Sequence, residues 1–265
     1  MAKVYTIQIR KGGTGKTALS YNLVAMLARA GYKVLAIDLD GQGSLTIKYG
    51  VDKESKDILS IGQLMINALA GIDINYDQYI HHIDEHIDLI HGNNLSDALI
   101  KILATSDEPI YVLSDALKPI KDRYDYIIID NAPALNQIVS NSFVASDQIL
   151  MCVTPTGEAV DNIKDTLAMY NKIIKRSNPN LKINGILYNM VDERTKDCRY
   201  WEDKIVEIFP NIPVYETAIP KSVKVNEGNN VNKPIVDYMA DNAVAIAYNE
   251  FFKEFMANPG ISYKE

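Results

Sequence analysis

Apolar residues fall into short continuous runs, separated by stretches in which they recur every three or four positions. Val4 to Ile9 reads as a strand. Leu19, Leu23, Met26 and Leu27 then lie at helical spacing, which predicts a helix from about Thr17 to Ala30 with its cap at Gly31. Val34 to Asp38 is continuous and branched, the pattern of a strand buried on both faces. Tyr126 to Asp130, Gln148 to Thr154 and Ile183 to Met190 repeat it, with helical stretches between them. A further short strand is expected at Val214 to Ile219 and a last helix from about Asp237 to Met256. Residues 51 to 125 are less regular, mostly helical with a strand near Ile87 to Ile90. No repeat or linker divides the chain, so residues 1–265 read as one domain. Strands alternating with helices predict an α/β fold: a doubly wound, mainly parallel sheet with helices on both faces. Ligands of such sheets bind beyond the carboxyl ends of the strands, which directs attention to the residues after Ile9, Ile37 and Ile129.

Composition narrows the class. The 265 residues, 47% hydrophobic and 23% charged, suffice for a core without disulfide or metal staples. Cys152 and Cys198 are far apart, and the opening residues are too polar for a secretory segment, so a reducing cytosol is the expected setting. No apolar run reaches the roughly 18 residues of a membrane span. A net charge of −7 argues against a surface basic throughout and leaves a local basic patch as the form any nucleic-acid contact would take. His81, His82, His86 and His91 sit with Asp84, Glu85 and Asp88; His82 and His86 have the spacing of helical metal ligands. They lie far along the chain from the glycine-rich segment, and a surface segment accounts for them better than a zinc site.

After the first strand comes Arg10-Lys11-Gly12-Gly13-Thr14-Gly15-Lys16-Thr17, running straight into the first helix. Glycines let backbone N–H groups turn inward around phosphate oxygens, and a helix N-terminus adds a favourable dipole. Lys16 is placed to reach β- and γ-phosphates and the Thr17 hydroxyl to bind Mg²⁺. The ordinary pattern wants glycine where Arg10 stands; what fits is the deviant form K-G-G-x-G-K-T with its extra Lys11. A lysine five residues before Lys16 is too distant to repeat its role, but can reach a nucleotide held by another subunit.

These residues resemble the ParA/MinD family of deviant Walker A P-loop ATPases, and within it the Soj-like ParA partition proteins. Ile37-Asp38-Leu39-Asp40-Gly41-Gln42-Gly43 is similar to the family's D-x-D-P-Q-G segment, and Asp130-Asn131-Ala132-Pro133 to its D-x-P-P. Gly185 to Thr195 and Ile219-Pro220-Lys221-Ser222-Val223-Lys224 resemble stretches of the Soj-like subgroup. The likeness spans about residues 3 to 257 and is weak between 51 and 125. It implies ATP and Mg²⁺ as cofactors, held by Lys11, Gly12, Gly13, Thr14, Gly15, Lys16, Thr17 and Ala18. Thr17 and Asp130 then serve the metal, Asp38 supports its water shell, Asp40 orients the attacking water, and adenine lies near Asn189 and Pro220. Gly41 and Ala132 replace family prolines, which loosens both loops; Arg10 has no family role.

One scaffold serves unrelated tasks, so three classes compete. A DNA-partition switch would use a basic stripe of Arg194, Lys221 and Lys224, helped by Lys196, Arg199 and Lys233. A MinD-like membrane-positioning ATPase would need an amphipathic end, yet Phe251, Phe252, Phe255 and Met256 read as the buried face of the last helix. A dethiobiotin-synthetase-like ligase would need its own acid–base residues near the γ-phosphate. Unpaired cysteines speak against the iron–sulfur relatives. The expectation is an ATP-gated homodimer on non-specific double-stranded DNA, cytoplasmic and nucleoid-associated, released when a ParB-like centromere-binding protein stimulates hydrolysis, with no membrane partner.

Overall fold

A computed structural model describes the chain except residues 56, 95, 107, 108, 193, 194, 264 and 265, and except the side chains of residues 96, 97, 196, 226 and 229. In chain order the elements are β1 (Lys3–Ile7), α1 (Lys16–Arg29), β2 (Val34–Asp38), α2 (Ser44–Lys48), α3 (Ile61–Leu69), β3 (His81–His82), β4 (Ile87–Ile90), α4 (Ser96–Ala104), α5 (Val112–Leu117) and β5 (Tyr126–Asp130). There follow α6 (Gln137–Ala145), β6 (Gln148–Val153), α7 (Gly157–Arg176), β7 (Lys182–Val191), α8 (Lys196–Ile208), β8 (Ile219–Pro220), α9 (Lys224–Asn229), α10 (Ile235–Tyr238) and α11 (Ala243–Ala257).

The strands form one sheet in the order β3-β4-β2-β5-β1-β6-β7-β8. All neighbours pair in parallel except β3 with β4, as the alternation of strands and helices predicts. β1 sits where the connections turn in opposite directions, with β5 and β2 on one side and β6 and β7 on the other. The register aligns Ile7 and Asp38 with Asp130, so the ends of β1, β2 and β5 stand level.

Successive strand residues point to opposite faces, and both faces are covered. Tyr5, Ile7, Val34, Ala36, Tyr126, Ile128, Leu150 and Cys152 pack with α1, α10 and α11. Val4, Leu35, Ile37, Ile127 and Ile129 face α3, α4 and α5, whereas Ile149, Met151 and Val153 face α6, α7 and α8.

Three expectations need correction. The strand foreseen at 214–219 reduces to a bridge from Val214 to Ile186 and the two residues of β8, because Tyr215 turns its ring into the core against Phe251. The helix foreseen at 237–256 is broken. α10 ends at Tyr238, and Asn242 starts α11 afresh, its side chain accepting from the Val244 N–H. The histidine segment is neither helical nor wholly superficial: His82 lies on β3, His86 in the turn before β4, and His91 is fully buried, 3.0 Å from His81. Among the described residues no group of three or more His, Cys, Asp or Glu is placed to hold a metal.

Phe251 is fully buried on α11, edge-on to Tyr215 with ring centroids 4.8 Å apart. Phe251→Ala leaves a cavity between α11 and the sheet, and is expected to cost about 3–5 kcal/mol, read as a lower urea midpoint at unchanged slope.

Candidate functional site

Residues 10–15 leave β1 and turn over its end into α1. Gly15 occupies the helix N-cap position at φ 86°, left-handed backbone, and a Cβ there would strike the Asn189 amide. That amide braces the loop: Asn189 Nδ2 donates to the Thr14 carbonyl at 2.9 Å and lies 3.4 Å from the Gly15 carbonyl. Met190, in left-handed backbone at φ 58°, donates its N–H to Asn189 Oδ1. Cys152, at the end of β6, puts its thiol 3.3 Å from the Thr14 carbonyl. Burial pushes that thiol up to about 12, so it is a neutral donor. Asn189 therefore acts first on the loop backbone, though it also lines the cavity beside Pro220.

The two loop lysines part company. Lys16 is 6% exposed and extends back across the loop, donating to the Lys11 carbonyl at 2.8 Å. Burial lowers its pKa, while Asp130, Cys152 and Asp40 act to raise it. Lys11 turns outward instead, its ammonium 2.5 Å from Glu158 on α7.

Three carboxylates stand at the strand ends. Asp38 is fully buried and belongs to the loop that follows it: Oδ2 accepts from the Thr46 N–H and hydroxyl, each at 2.8 Å, and Oδ1 from the Asp40 N–H at 3.1 Å. The Thr46 hydroxyl in turn accepts from Gly92 N–H at 3.0 Å. A Cβ at Gly92 would meet the Asp38 and Asp40 carbonyls at 2.7 Å, so the end of β4 presses directly on this loop. Asp130 Oδ1 accepts from Ser20 at 2.8 Å, and Oδ2 is buried without a hydrogen-bond partner. Burial, with the neighbouring Asp130 charge, pushes Asp38 up to about 7. Burial also pushes Asp130 up to about 6 against the pull of the Thr17 and Ser20 hydroxyls and Lys16. Asp40 lies at the cavity wall, its carboxylate accepting from the Gln42 N–H at 2.9 Å.

These groups border a cavity of about 970 Å³ lined by Gly12, Gly13, Gly15, Lys16, Thr17 and Ala18 on one side and Asp40, Asn131, Asn189 and Pro220 on others. The structure thus brings the loop, Thr17, Asp40, Asn189 and Pro220 to one space, with Asp38 and Asp130 buried behind it. Sequence reasoning missed Ser20, whose only signal is its place three residues beyond Thr17, and missed Thr46, Gly92 and Cys152 altogether. Lys221 is exposed at the cavity rim. Lys224 bonds both oxygens of Glu227, at 2.8 and 2.9 Å. Arg194 lies outside the described residues, and so does the side chain of Lys196.

The donor set fits a phosphate chain and a hard divalent cation. A Cβ at Gly12 or Gly13 would meet nothing within 4 Å, which leaves a backbone cradle open to phosphate oxygens. The orphaned Asp130 oxygen and the Thr17 hydroxyl supply the few protein oxygens that Mg²⁺ takes.

A family profile described as AAA domain matches residues 2–183. The sporulation initiation inhibitor protein Soj of Bacillus subtilis is 32% identical over 97% of this chain and 100% of its own length. Apo McdA of Cyanothece superposes with a TM-score of 0.86 at 22% identity, covering 97% of this chain and 100% of that one. Cobyrinic acid a,c-diamide synthase of Mycobacterium smegmatis, solved with ADP and magnesium, gives 0.83 at 24% identity over all of both chains.

The buried carboxylates fix a pH dependence. Both carry folded-state pKa values above their ordinary 3.8, so the folded chain holds protons that the unfolded chain releases. Stability without nucleotide, in EDTA, is expected to fall as pH rises from about 4 to about 7 through this pair. Asp38→Asn should flatten that slope in urea titrations run at each pH.

Proposed function

The chain belongs to the AAA domain family and, within it, to the Soj/ParA ATPases, and from that premise we propose that it is the ATP-driven switch of a DNA partition system. In this reading ATP joins two copies face to face, the dimer holds non-specific double-stranded DNA, and hydrolysis stimulated by a ParB-like partner releases it. One observation carries it. Lys16 lines the cavity of its own chain, whereas Lys11 is absent from that lining and points outward. A phosphate-loop lysine that serves no phosphate of its own chain suits a nucleotide held by a second copy.

ATP is the substrate, with its phosphates over the loop amides and Lys16 and its adenine between Asn189 and Pro220. Lys16, already desolvated, stabilises the charge of the transferred phosphoryl group. Thr17 and Asp130 would hold Mg²⁺, which would supply positive charge against that of the phosphates. Asp40 orients the water, and Asp38 acts at one remove by fixing Asp40's backbone through the hydrogen bond between them.

For DNA, exposed Lys221 and its neighbour Lys224 sit on the segment that borders the cavity, so nucleotide occupancy and phosphate-backbone contact would share a structural element. Both are lysines, adequate for backbone contact without bidentate recognition. Phe251 and Phe255 are buried in the core and Phe252 is partly so, while Met256 of the same expected face is 38% exposed; this supports reading most of the group as core packing rather than as a membrane anchor. Among the described residues no helix is long and apolar enough to cross a membrane. The likeness to the synthase, at 24% identity, is one of fold.

Lys16→Ala is expected to abolish ATP hydrolysis in a phosphate-release assay; retained turnover would take the loop out of the chemistry. Binding to a non-specific duplex is expected with ATP and not ADP, weakening steeply along a salt series. Lys224→Glu should reduce that binding while ATP-dependent dimerisation persists, and Glu227→Gln, which releases Lys224, should strengthen it. Equal affinity for both variants would move the DNA contact to another face.

A further inference from the structure

Arg10 and Lys11 lead into the phosphate loop, and both side chains cross to α7. Lys11 Nζ is 2.5 Å from Glu158, and Arg10 pairs with Asp165. Glu158 and Asp165 are seven residues apart, two helical turns, and so lie on one face of α7. Asp161, between them, is 3.8 Å from Lys164. The acids of this face therefore divide their work: two take the loop cations and one is matched within the helix.

The Lys11 backbone is held independently of this contact. Its N–H donates to the Ile9 carbonyl at 2.8 Å and its carbonyl accepts from Lys16 at 2.8 Å. Only the side chain is left to choose a partner. Glu158 is 76% exposed, and its carboxyl is held below the ordinary range by the hydrogen bond from Lys11. A solvent-exposed pair of this kind is weak and exchanges readily. With the Glu158 end in solvent and the Lys11 side chain 33% exposed, the pair fixes a direction and contributes little to stability. The outcome is a reserve cation kept on the flank of its own chain, facing away from its own cavity.

We propose that Glu158 is a positioning residue for Lys11: a latch in cis that competes with the phosphates of a nucleotide bound to a second copy of the chain. Asp165 does the same for Arg10. The inference rests on the reading of an ATP-joined dimer and adds to it a threshold. Each copy carries two such pairs, four for each dimer, so association demands a ligand that attracts these cations more strongly than exposed carboxylates do. A triphosphate meets that condition better than a diphosphate, which gives the switch part of its nucleotide selectivity without any added contact to the terminal phosphate inside the chain that binds it.

The test is sedimentation velocity of the full chain, titrated with a non-hydrolysable ATP analogue and, separately, with ADP, both with Mg²⁺. Glu158→Gln is expected to dimerise at about fivefold lower analogue concentration than the wild type and to show dimer with ADP. Glu158→Asp, which keeps the charge, should restore the wild-type threshold. Asp165→Asn should give a smaller shift in the same direction, and thermal midpoints should not differ. If the wild type dimerises and Lys11→Ala does not, yet Glu158→Gln matches the wild type or dimerises less readily, the latch is wrong and the dimer reading stands. If neither the wild type nor any variant dimerises with the analogue, the dimer reading itself fails.

Discussion

Two carboxylates and an ammonium are buried side by side where β2, β5 and β1 end, and the surrounding architecture answers the need to make that burial tolerable. Charge taken out of water must be paired, hydrogen-bonded or neutralised. Asp38 receives three donors from its own loop, Asp130 receives Ser20 from α1, and Lys16 is laid against a carbonyl of the loop that precedes it. Each of these bonds also fixes a segment: the loop after β2, the first turns of α1, and the phosphate loop. The register that sets Asp38 beside Asp130 therefore does more than align strands. It creates an electrostatic load whose relief orders the walls of the cavity, and it leaves one carboxylate oxygen unspent and available to a cation.

Local pattern made some of this legible and was blind to the rest. β2 and β5 match their expected limits to the residue, because each is a continuous apolar run ended by aspartate at a buried strand end. The phosphate loop was legible for a similar reason: its residues are consecutive. The last helix was misjudged because apolar spacing continues through residues 237–256, while a single Asn242 side chain restarts the helix. The site's supports escaped for a different reason. Thr46 lies eight residues from Asp38, Gly92 meets that loop from another strand, and Cys152 and Asn189 reach Thr14 from 138 and 175 residues away. The last three exist only once the sheet has brought strand ends together, and no local window contains both partners; the Asp38–Thr46 pair is close along the chain but follows no helical or strand period.

The replaced family prolines illustrate how local rigidity can be supplied by other means. Without proline at Gly41, the turn after β2 is closed by Gly43 N–H to the Asp40 carbonyl and by Gln42 N–H to the Asp40 carboxylate, each at 2.9 Å. Before Ala132, the Asn131 amide bonds the Thr6 hydroxyl at 2.6 Å and the Ile7 carbonyl at 3.1 Å, tying the end of β5 to β1. Hydrogen bonds, most of them to side chains, take over a constraint that a pyrrolidine ring would impose covalently. Unlike a ring, they can be exchanged, so both loops are held and still able to rearrange when a ligand offers other partners.

The sheet ends at both sides in strands of two residues, β3 and β8, and β8 finishes on Pro220, which has no N–H to offer. Short rims of this kind give a second chain almost no ladder to extend. Copies of the protein are thereby denied the easiest route to uncontrolled polymerisation, strand added to strand. Any contact between copies is left to side-chain surfaces rather than to backbone ladders. A chain built on a buried parallel sheet gains from such borders: with both rims shut to strand addition, its ladder stays internal and offers no template for growth.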